Sequence, residues 1–271
     1  MQNKLVVKDN ALINASYYLS LVEQRLVLLG IVEARDNQSQ NNEFTIHVNS
    51  YISAFGVDDS TAYLSIKDAC KRLKKREFTF IRVVNGVAEK VESYWVQSVA
   101  YAENSSYVKI RFTDDVMPLI TKLEKHFTSY ELEQVSQLKS AYAVRLYEIL
   151  IAWRSTGKTP VIGLDDFKKQ IGINEGDYKR IDVLKSRVLE PSIKQINEHT
   201  DIIVSVAQHK TGRSVTGFSF RFKQKPQPKV EQKIDPKRDP NTPDFFVEMT
   251  DAQRHLFAHK LSELPEVGSE Y

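Results

Sequence analysis

The chain has 271 residues, of which 41% are hydrophobic and 27% are charged, and its formal net charge is +3. This composition is normal for a folded soluble protein, and the length fits one large domain or two domains of about 100–150 residues each. No apolar run approaches the roughly 20 residues that cross a bilayer, and the first residues lack the apolar core of a signal peptide, so a cytoplasmic location is expected. Cys70 is the only cysteine, which excludes an internal disulfide and a cysteine-based zinc site.

The first half of the chain predicts helices followed by strands. Apolar residues at three- and four-residue spacing indicate a first helix, and Asn85-Gly86 is a strong signal for a hairpin turn. In chain order the predicted elements are a helix over Leu19–Arg35, a strand and short helix over Ile46–Val57, a helix over Ser60–Arg76 capped by Asp58 or Asp59, a strand that ends at the hairpin turn, a strand over Val87–Val99 and a strand over Tyr107–Thr113.

The second half repeats this unit. The stretches "IHVNSYISAFGV" (Ile46–Val57) and "IGLDDFKKQIGI" (Ile162–Ile173) match in residue type without a gap, and both are typical of a short strand, a capped two-turn helix and a glycine stop. The flanks also correspond, because the second copy lies between predicted helices over Ser140–Arg154 and Lys179–His199. A hairpin that turns at Lys210–Arg213 follows.

Helix, strand, helix, helix and hairpin is the order of a winged-helix domain. The sequence therefore predicts an α+β protein with two tandem winged-helix domains, over residues 1–128 and 129–223. The connection Asp114–Leu138 is expected to be mostly helical. Residues 224–271 are predicted to be a flexible, proline-rich tail with a helix near 250–264, which docks either on the body or on a partner.

The second domain's helix before the hairpin is the candidate for DNA recognition, because this helix usually enters the major groove while the wing touches the backbone. Basic residues at seven-residue spacing line its exposed side, although a solvated helix face is the plain alternative. Residues 130–224 carry 15 basic and 11 acidic side chains, the most basic part of the chain. The candidate contacts are, in the helix, Arg180, Lys185, Ser186, Arg187 and Lys194 and, at the hairpin tip, Lys210 and Arg213. Pro191 predicts a kink or break in this helix.

The first half contains a second basic run at the end of its predicted third helix, "KDACKRLKKR". Cations there also favour the helix dipole, so contacts to phosphates rather than bases are expected. The candidates are Lys67, Lys71, Lys74 and Lys75.

No residue pattern predicts catalysis or a metal site. Gly157-Lys158-Thr159 resembles the end of a phosphate-binding P-loop, but Ala152 occupies the position of its first glycine, and the predicted order is helix to strand rather than strand to helix. His255 and His259 have no evident third metal ligand. The carboxylate pairs Asp58-Asp59, Asp114-Asp115 and Asp165-Asp166 are interpreted as helix caps. We therefore expect no cofactor and no enzymatic activity.

Three phrases carry a resemblance to a known family: "LVVKDNALINASYYLSLVEQRLVLLGIVEAR", "SAYAVRLYEILIAWRSTGKTP" and "VLKSRVLEPSIKQINEHTDI…GFSFRF". They resemble the initiator Rep proteins (RepB type) of iteron-containing bacterial plasmids, and the likeness runs from about Leu5 to Phe222. The resemblance implies binding to origin iterons in double-stranded DNA and initiation of plasmid replication, with the main contacts in the second domain at Arg180, Lys185, Ser186 and Arg187 and with Lys179 nearby. Relatives have arginine at the Ser186 position, which implies a different iteron sequence here.

The resemblance also implies partners. It implies homodimers, formed through the first domain, that repress the chain's own promoter by binding its operator, and monomers that initiate. Host replicative helicase and host initiator are implied partners, and no membrane is. Two alternatives stay open from the residues: a winged-helix transcription regulator without an initiator role, and a nicking or nucleotide-hydrolysing enzyme.

Overall fold

The computed structural model describes residues 4–36, 41–101, 105–121 and 126–226. Up to residue 112 the elements are β1 (Leu5–Asp9), α1 (Asn10–Ile13), β2 (Ser16–Tyr17), α2 (Leu21–Asp36), β3 (Glu43–His47), α3 (Val48–Phe55), α4 (Asp59–Leu73), β4 (Glu77–Val84), β5 (Val87–Tyr94), β6 (Val96–Tyr101) and β7 (Tyr107–Phe112). Those that follow are α5 (Pro118–Thr121), β8 (Phe127–Glu131), α6 (Glu133–Ser136), α7 (Ala141–Ile151), β9 (Ile162–Gly163), α8 (Leu164–Ile171), α9 (Ile181–Leu184), a π-helical turn (Lys185–Leu189), α10 (Glu190–His199), β10 (Ile202–Thr211) and β11 (Ser214–Gln224).

Two winged-helix units are present, as predicted. The first combines α2, α3 and α4 with a three-stranded sheet in the order β3-β7-β6, and the second combines α7, α8 and the helix over residues 181–199 with a sheet in the order β10-β11-β9. In both sheets the short first strand pairs with the last strand, which is the same topology. Apolar residues from both units belong to one buried cluster.

The repeat predicted from sequence is confirmed in its strand–helix order and in the glycine that ends each short helix. α3 ends at Gly56 with φ 59°, and α8 ends at Gly172 with φ 82°, a left-handed conformation that favours glycine. Gly172 has a second role, because a Cβ there would lie 2.6 Å from the Tyr17 carbonyl oxygen, so the end of α8 packs directly on β2. The helix starts differ from the prediction. Asp165 and Asp166 lie inside the first turn of α8 and make no cap hydrogen bond, whereas Asp58 does cap α4 by accepting from the Ser60 N–H.

The wing of the first unit is not the hairpin that the sequence suggested. Asn85 and Gly86 do form a tight turn with φ values of 51° and 81°, but their hairpin, β4–β5, belongs to a separate sheet in the order β2-β4-β5. The predicted strand Val87–Val99 is two strands, and the second of them, β6, pairs with β7 to form the wing. Trp95 separates them, because its fully buried side chain anchors the chain where it passes from one sheet to the other.

The connection Asp114–Leu138 is not mostly helical, which corrects the prediction. Its described residues, 114–121 and 126–138, contain two four-residue helices, α5 and α6, and the strand β8, which pairs antiparallel with β1. The reason is the burial of alternate residues, Thr128 and Tyr130, which suits a strand against the apolar Val6. Asp114 and Asp115 do not cap a helix: they accept from Asn42 at 3.1 Å and from Ser93 at 2.7 Å.

A buried charged cluster connects the beginning of the chain to α7. Glu148 accepts hydrogen bonds from Lys8 Nζ at 2.6 Å, from Tyr130 Oη at 2.6 Å and from Arg145 at 2.9 Å. Arg145 also donates to the carbonyl oxygens of Ile13 and Ala15, and its Nε donates to that of Gln170 in α8. The side chains of Lys8, Arg145 and Glu148 are at most 3% exposed, so the charges compensate one another instead of being hydrated.

The electrostatics of this cluster favour an ionised Glu148. Burial alone would raise the pKa of its carboxyl group, but the positive charges of Lys8 and Arg145 and the hydrogen bonds from Lys8 and Tyr130 outweigh burial and hold the pKa below its ordinary value. Burial raises the pKa of the Tyr130 hydroxyl, which therefore stays a donor.

The predicted domain boundary between residues 128 and 129 stays a prediction. The predicted tail helix over 250–264 and the pair His255 and His259 lie outside the described residues. Among the described helices, none is long and apolar enough to span a bilayer.

We expect Glu148→Gln to lower the free energy of unfolding by about 3–5 kcal/mol, because it leaves Lys8 and Arg145 buried without their counter-charge. The folded-state pKa of Glu148 is depressed, so this contribution is present above the ordinary glutamate pKa of about 4.3 and is lost as the pH falls through the folded value. Urea unfolding at neutral pH and under progressively more acidic conditions measures both effects.

The matched control is Glu175→Gln, which changes an exposed glutamate and should stay within about 0.5 kcal/mol of the wild type. Equal losses from the two substitutions would contradict the role assigned to Glu148.

Candidate DNA-binding surface

The candidate recognition helix begins at Ile181, two residues later than predicted. Arg180 is its N-cap residue, with extended backbone at φ −85° and ψ 130°, so Lys179 and Arg180 precede the helix. Arg180 forms an exposed ion pair with Asp182 at 2.6 Å. The hydrogen bond to Asp182 raises the pKa of the Arg180 guanidinium, and Arg180 must exchange this partner before it can contact DNA.

Pro191 does not break the helix. Residues 181–199 are helical throughout, and the π-turn over Lys185–Leu189 immediately precedes the α10 turn that holds Pro191 near its start. The Glu190 N–H donates to the Lys185 carbonyl, five residues back. Because proline has no N–H and clashes with the preceding turn of a regular α-helix, the wider π-turn accommodates it within a continuous helix. The predicted break is therefore wrong, and the predicted kink stays a prediction.

The π-turn changes which side chains share a face. It adds one residue to the helix, so the seven-residue spacing that placed Lys194 in line with Arg187 no longer holds across it. Ser186 and Arg187 are exposed, and Lys185 is half-buried. Lys194 is exposed and pairs with Glu198 at 3.9 Å. Within the described ranges neither Lys185 nor Arg187 has a carboxylate at ion-pair distance.

The wing of the second unit presents two further cations. Lys210 and Arg213 are exposed on either side of Gly212, whose φ of 61° closes the turn. A register shift between His209 and Lys210 alters the course of β10 just before the tip. In the part of the chain that the structure describes, neither Lys210 nor Arg213 forms an ion pair.

Four lysines of the first unit's basic run lie in the second half of α4 or beyond its end. α4 ends at Leu73, so Lys74 and Lys75 are exposed beyond its last turn. Lys71 lies 3.5 Å from Asp68, and Lys67 lies over the Tyr101 ring at 5.1 Å from its centroid, next to the wing of this unit. These are the four candidate phosphate contacts.

Two arginines of the same run have a structural role that sequence reasoning missed. Arg72 and Arg76 each lie 3.1 Å from the fully buried carboxylate of Glu23 in α2. Glu23 also accepts from the Ser20 N–H at 2.7 Å while the Ser20 hydroxyl accepts from the Glu23 N–H, which is a capping box. The sequence does carry a signal for this capping box, because a serine is followed three residues later by a glutamate, ahead of an apolar run.

The stretch that resembles a P-loop is a turn into a strand. Gly157 has φ 65° and closes the turn after α7. The backbone of Lys158 forms an isolated antiparallel β-bridge with that of Arg221 in β11, and Thr159 Oγ1 accepts from the Phe220 N–H at 3.0 Å. No helix begins there to receive a phosphate, as the sequence predicted. Across the described residues, no cluster of three or more His, Cys, Asp or Glu side chains could hold a metal ion.

Comparison with known proteins agrees with this architecture. The family model described as "Initiator Replication protein, WH1" matches residues 5–151, and the one described as "Initiator Rep protein, WH2" matches residues 163–222. The chain is 26% identical to a replication initiation protein of Escherichia coli, over 82% of this chain and 70% of that protein. It is 22% identical to the PI protein of Escherichia coli, over 75% of this chain and 77% of that protein.

The structural comparison identifies the same fold. The crystal structure of Pi initiator protein in complex with iteron DNA matches with a TM-score of 0.68 and 20% identity, over 84% of this chain and the whole of that chain. The two family models cover most of the chain: the first spans the first winged-helix unit and continues through α7, and the second spans the rest of the second unit from Gly163 to Phe222. The protein therefore belongs to the initiator replication protein family of winged-helix Rep proteins.

Proposed function

We propose that this protein binds iterons, the repeated sequences of a plasmid origin, in double-stranded DNA and initiates replication there. The observation that carries the proposal is that the second unit exposes polar and basic side chains on both elements that a winged helix uses to bind DNA. These are Ser186 and Arg187 on the recognition helix and Lys210 and Arg213 on the wing. The family membership and the likeness to the Pi initiator protein, which was crystallised with iteron DNA, support the choice of DNA target.

The contacts follow from the geometry of winged-helix docking. The front of the 181–199 helix enters the major groove, where Arg187 can bind guanine with two hydrogen bonds and Ser186 can bind a base or a phosphate. Lys185 extends from the edge of the helix toward the backbone. The remaining cations neutralise phosphates: Lys179, Arg180 and Lys194 around the helix, and Lys210 and Arg213 from the wing.

The first unit adds a second, weaker footprint. Lys67, Lys71, Lys74 and Lys75 lie near or beyond the end of α4 and are directed at phosphates rather than bases. Since Arg72 and Arg76 are held by Glu23, they contribute positive field but are not free to reach the backbone.

The protein acts by binding and not by catalysis, in the bacterial cytoplasm where plasmid DNA lies. No cofactor is required in this proposal. The binding of several copies to adjacent iterons supplies the free energy for origin opening, and host replicative helicase and host initiator are recruited afterwards. Binding to an operator at its own promoter would repress its synthesis.

The β4–β5 hairpin is the surface best suited to homodimer formation. β5 is the edge strand of its sheet, and the hairpin exposes apolar side chains: Ile81 and Val83 of β4 are 55% and 68% exposed, and Val87 of β5 is 62% exposed. An edge strand can pair with a second copy of itself, which satisfies its unpaired backbone groups and buries apolar side chains of the hairpin.

We expect Arg187→Ala to weaken binding to the plasmid's own iteron by about 1–3 kcal/mol while leaving binding to unrelated duplex DNA nearly unchanged, because Arg187 reads a base. Fluorescence anisotropy with matched oligonucleotides measures this difference. Lys210→Ala is the control: it should weaken both duplexes alike and reduce the slope of log K against log salt by about one. Unchanged iteron affinity in the Arg187 variant would refute the assignment.

We expect Val83→Lys to shift the monomer–dimer equilibrium toward monomer, since a lysine on the hairpin places like charges together across the two-fold axis. Sedimentation equilibrium across a range of concentrations detects the shift. Val161→Lys, at a valine of similar exposure on the second unit, should leave the equilibrium unchanged. Equal behaviour of the two variants would exclude the hairpin as the interface.

A replication assay tests the proposed function as a whole. A plasmid that depends on the origin next to this gene should replicate when the wild-type gene is supplied and fail when it carries Arg187→Ala. Replication without the gene would favour the alternative of a transcription regulator. DNA nicking or nucleotide hydrolysis by the pure protein would contradict the non-enzymatic mechanism.

A further inference from the structure

A groove on the second winged-helix unit is separate from every proposed DNA contact. It is an open groove of about 390 Å³ between the turn that follows α7 and the end of β11. The lining residues that matter here are Trp153, Lys158, Val161, Phe220 and Arg221.

The groove presents apolar surface that the fold does not cover. Trp153 is 39% exposed and Val161 is 56% exposed. The backbone at Trp153 is fixed because its carbonyl oxygen accepts from the N–H groups of both Thr156 and Gly157. A partly exposed tryptophan in the same groove as an exposed valine is the kind of surface on which binding energy concentrates in protein interfaces.

Two cations lie in the same groove. Lys158 and Arg221 are exposed, and neither has a carboxylate at ion-pair distance among the residues that the structure describes. The described lining contains no aspartate or glutamate. The nearby Asp201 is already engaged by Arg154 at 3.3 Å and by the Tyr147 hydroxyl at 2.8 Å. Because Lys158 and Arg221 lie opposite each other in a β-bridge, the groove combines exposed apolar surface with two adjacent positive charges.

The position of the groove keeps it open when DNA is bound. Arg221 lies seven residues along β11 from Ser214 at the wing tip, a distance of about 24 Å at roughly 3.4 Å per residue. Along β11 the buried Phe218, Phe220 and Phe222 alternate with Ser219 and Arg221, so Arg221 lies on the face of the sheet opposite the core. The recognition helix packs on the core side, against β10.

We propose that this groove is a docking site for a partner protein and that it binds an acidic segment carrying one or two large apolar side chains. Trp153 and Val161 would cover the apolar side chains, while the adjacent Lys158 and Arg221 would pair with carboxylates of the same segment. Single-stranded DNA would satisfy the cations, but stacking along a strand uses successive aromatic rings, and Trp153 is the one exposed ring among the described lining residues. The proposal goes beyond DNA binding and holds whether or not the chain recognises iterons.

The test uses the full chain without DNA, so that its outcome is independent of the iteron proposal. The probe is a fluorescein-labelled synthetic peptide rich in Glu, Leu and Phe, compared with the same peptide in which every Glu is replaced by Gln. We expect saturable binding of the acidic peptide and a shift in tryptophan emission that arises from Trp153, since Trp95, the other tryptophan, is fully buried.

Charge reversal tests the site itself. The double variant Lys158→Glu/Arg221→Glu should weaken peptide binding about tenfold or more, because two favourable ion pairs become repulsive. Lys169→Glu, an exposed lysine on α8, is the matched control and should bind as the wild type does. Thermal unfolding midpoints confirm that the variants fold.

Three outcomes would overturn the proposal. These are the absence of saturable binding, equal affinity of the charge-reversed and control variants, and a Trp153 emission change with oligo(dT) but not with the acidic peptide. The last outcome would assign the groove to single-stranded DNA instead of a protein.

Discussion

Glu148 receives hydrogen bonds from Lys8 in β1, from Tyr130 in β8 and from Arg145 one turn earlier in α7. Such a cluster contributes little to stability in comparison with a well-packed apolar core, because burying three charges costs much of what their attraction returns. Its importance is geometric, because the cluster joins side chains from three separate elements, β1, β8 and α7. The β1–β8 pair and the start of the second winged-helix unit are thereby fixed in register with each other.

This constraint has a functional consequence for the two positively charged surfaces. Arg145 also holds the carbonyl oxygens between α1 and β2 and the end of α8, and Gly172 lets the second unit approach the Tyr17 backbone closely. The two elements proposed to contact DNA, α4 and residues 181–199, are therefore carried by units that share one core. Two footprints with a fixed separation lose less conformational freedom on binding than two footprints on independent domains.

The sequence predicted the elements whose signals are local. Glycine stops at Gly56 and Gly172, the Asn85-Gly86 turn and the apolar faces of α2 and α7 depend on neighbouring residues, and all were found as expected. The misses depend on distant partners. β8 is a strand because β1, more than 100 residues away in the chain, pairs with it. The sequence predicts the hairpin β4–β5 as the wing, because the residues of β4 do not indicate that this strand pairs with the distant β2. The candidate site residues are predicted from their basic or polar side chains. Their ion-pair partners, Asp182 for Arg180 and Glu198 for Lys194, are seen only in the structure.

The π-turn determines which residues of the 181–199 helix face solvent. A π-turn is an α-helical turn with one extra residue, and each residue of an α-helix turns the chain by about 100°. Both halves of the helix are held in the core, the front half by Leu184, Val188 and Leu189 and the back half by Ser192 and Ile196. Deletion of one residue within Lys185–Leu189 would rotate the two halves against each other and remove buried side chains of one half from the core, so the packing fixes the length of this segment and with it the direction of the exposed Ser186 and Arg187.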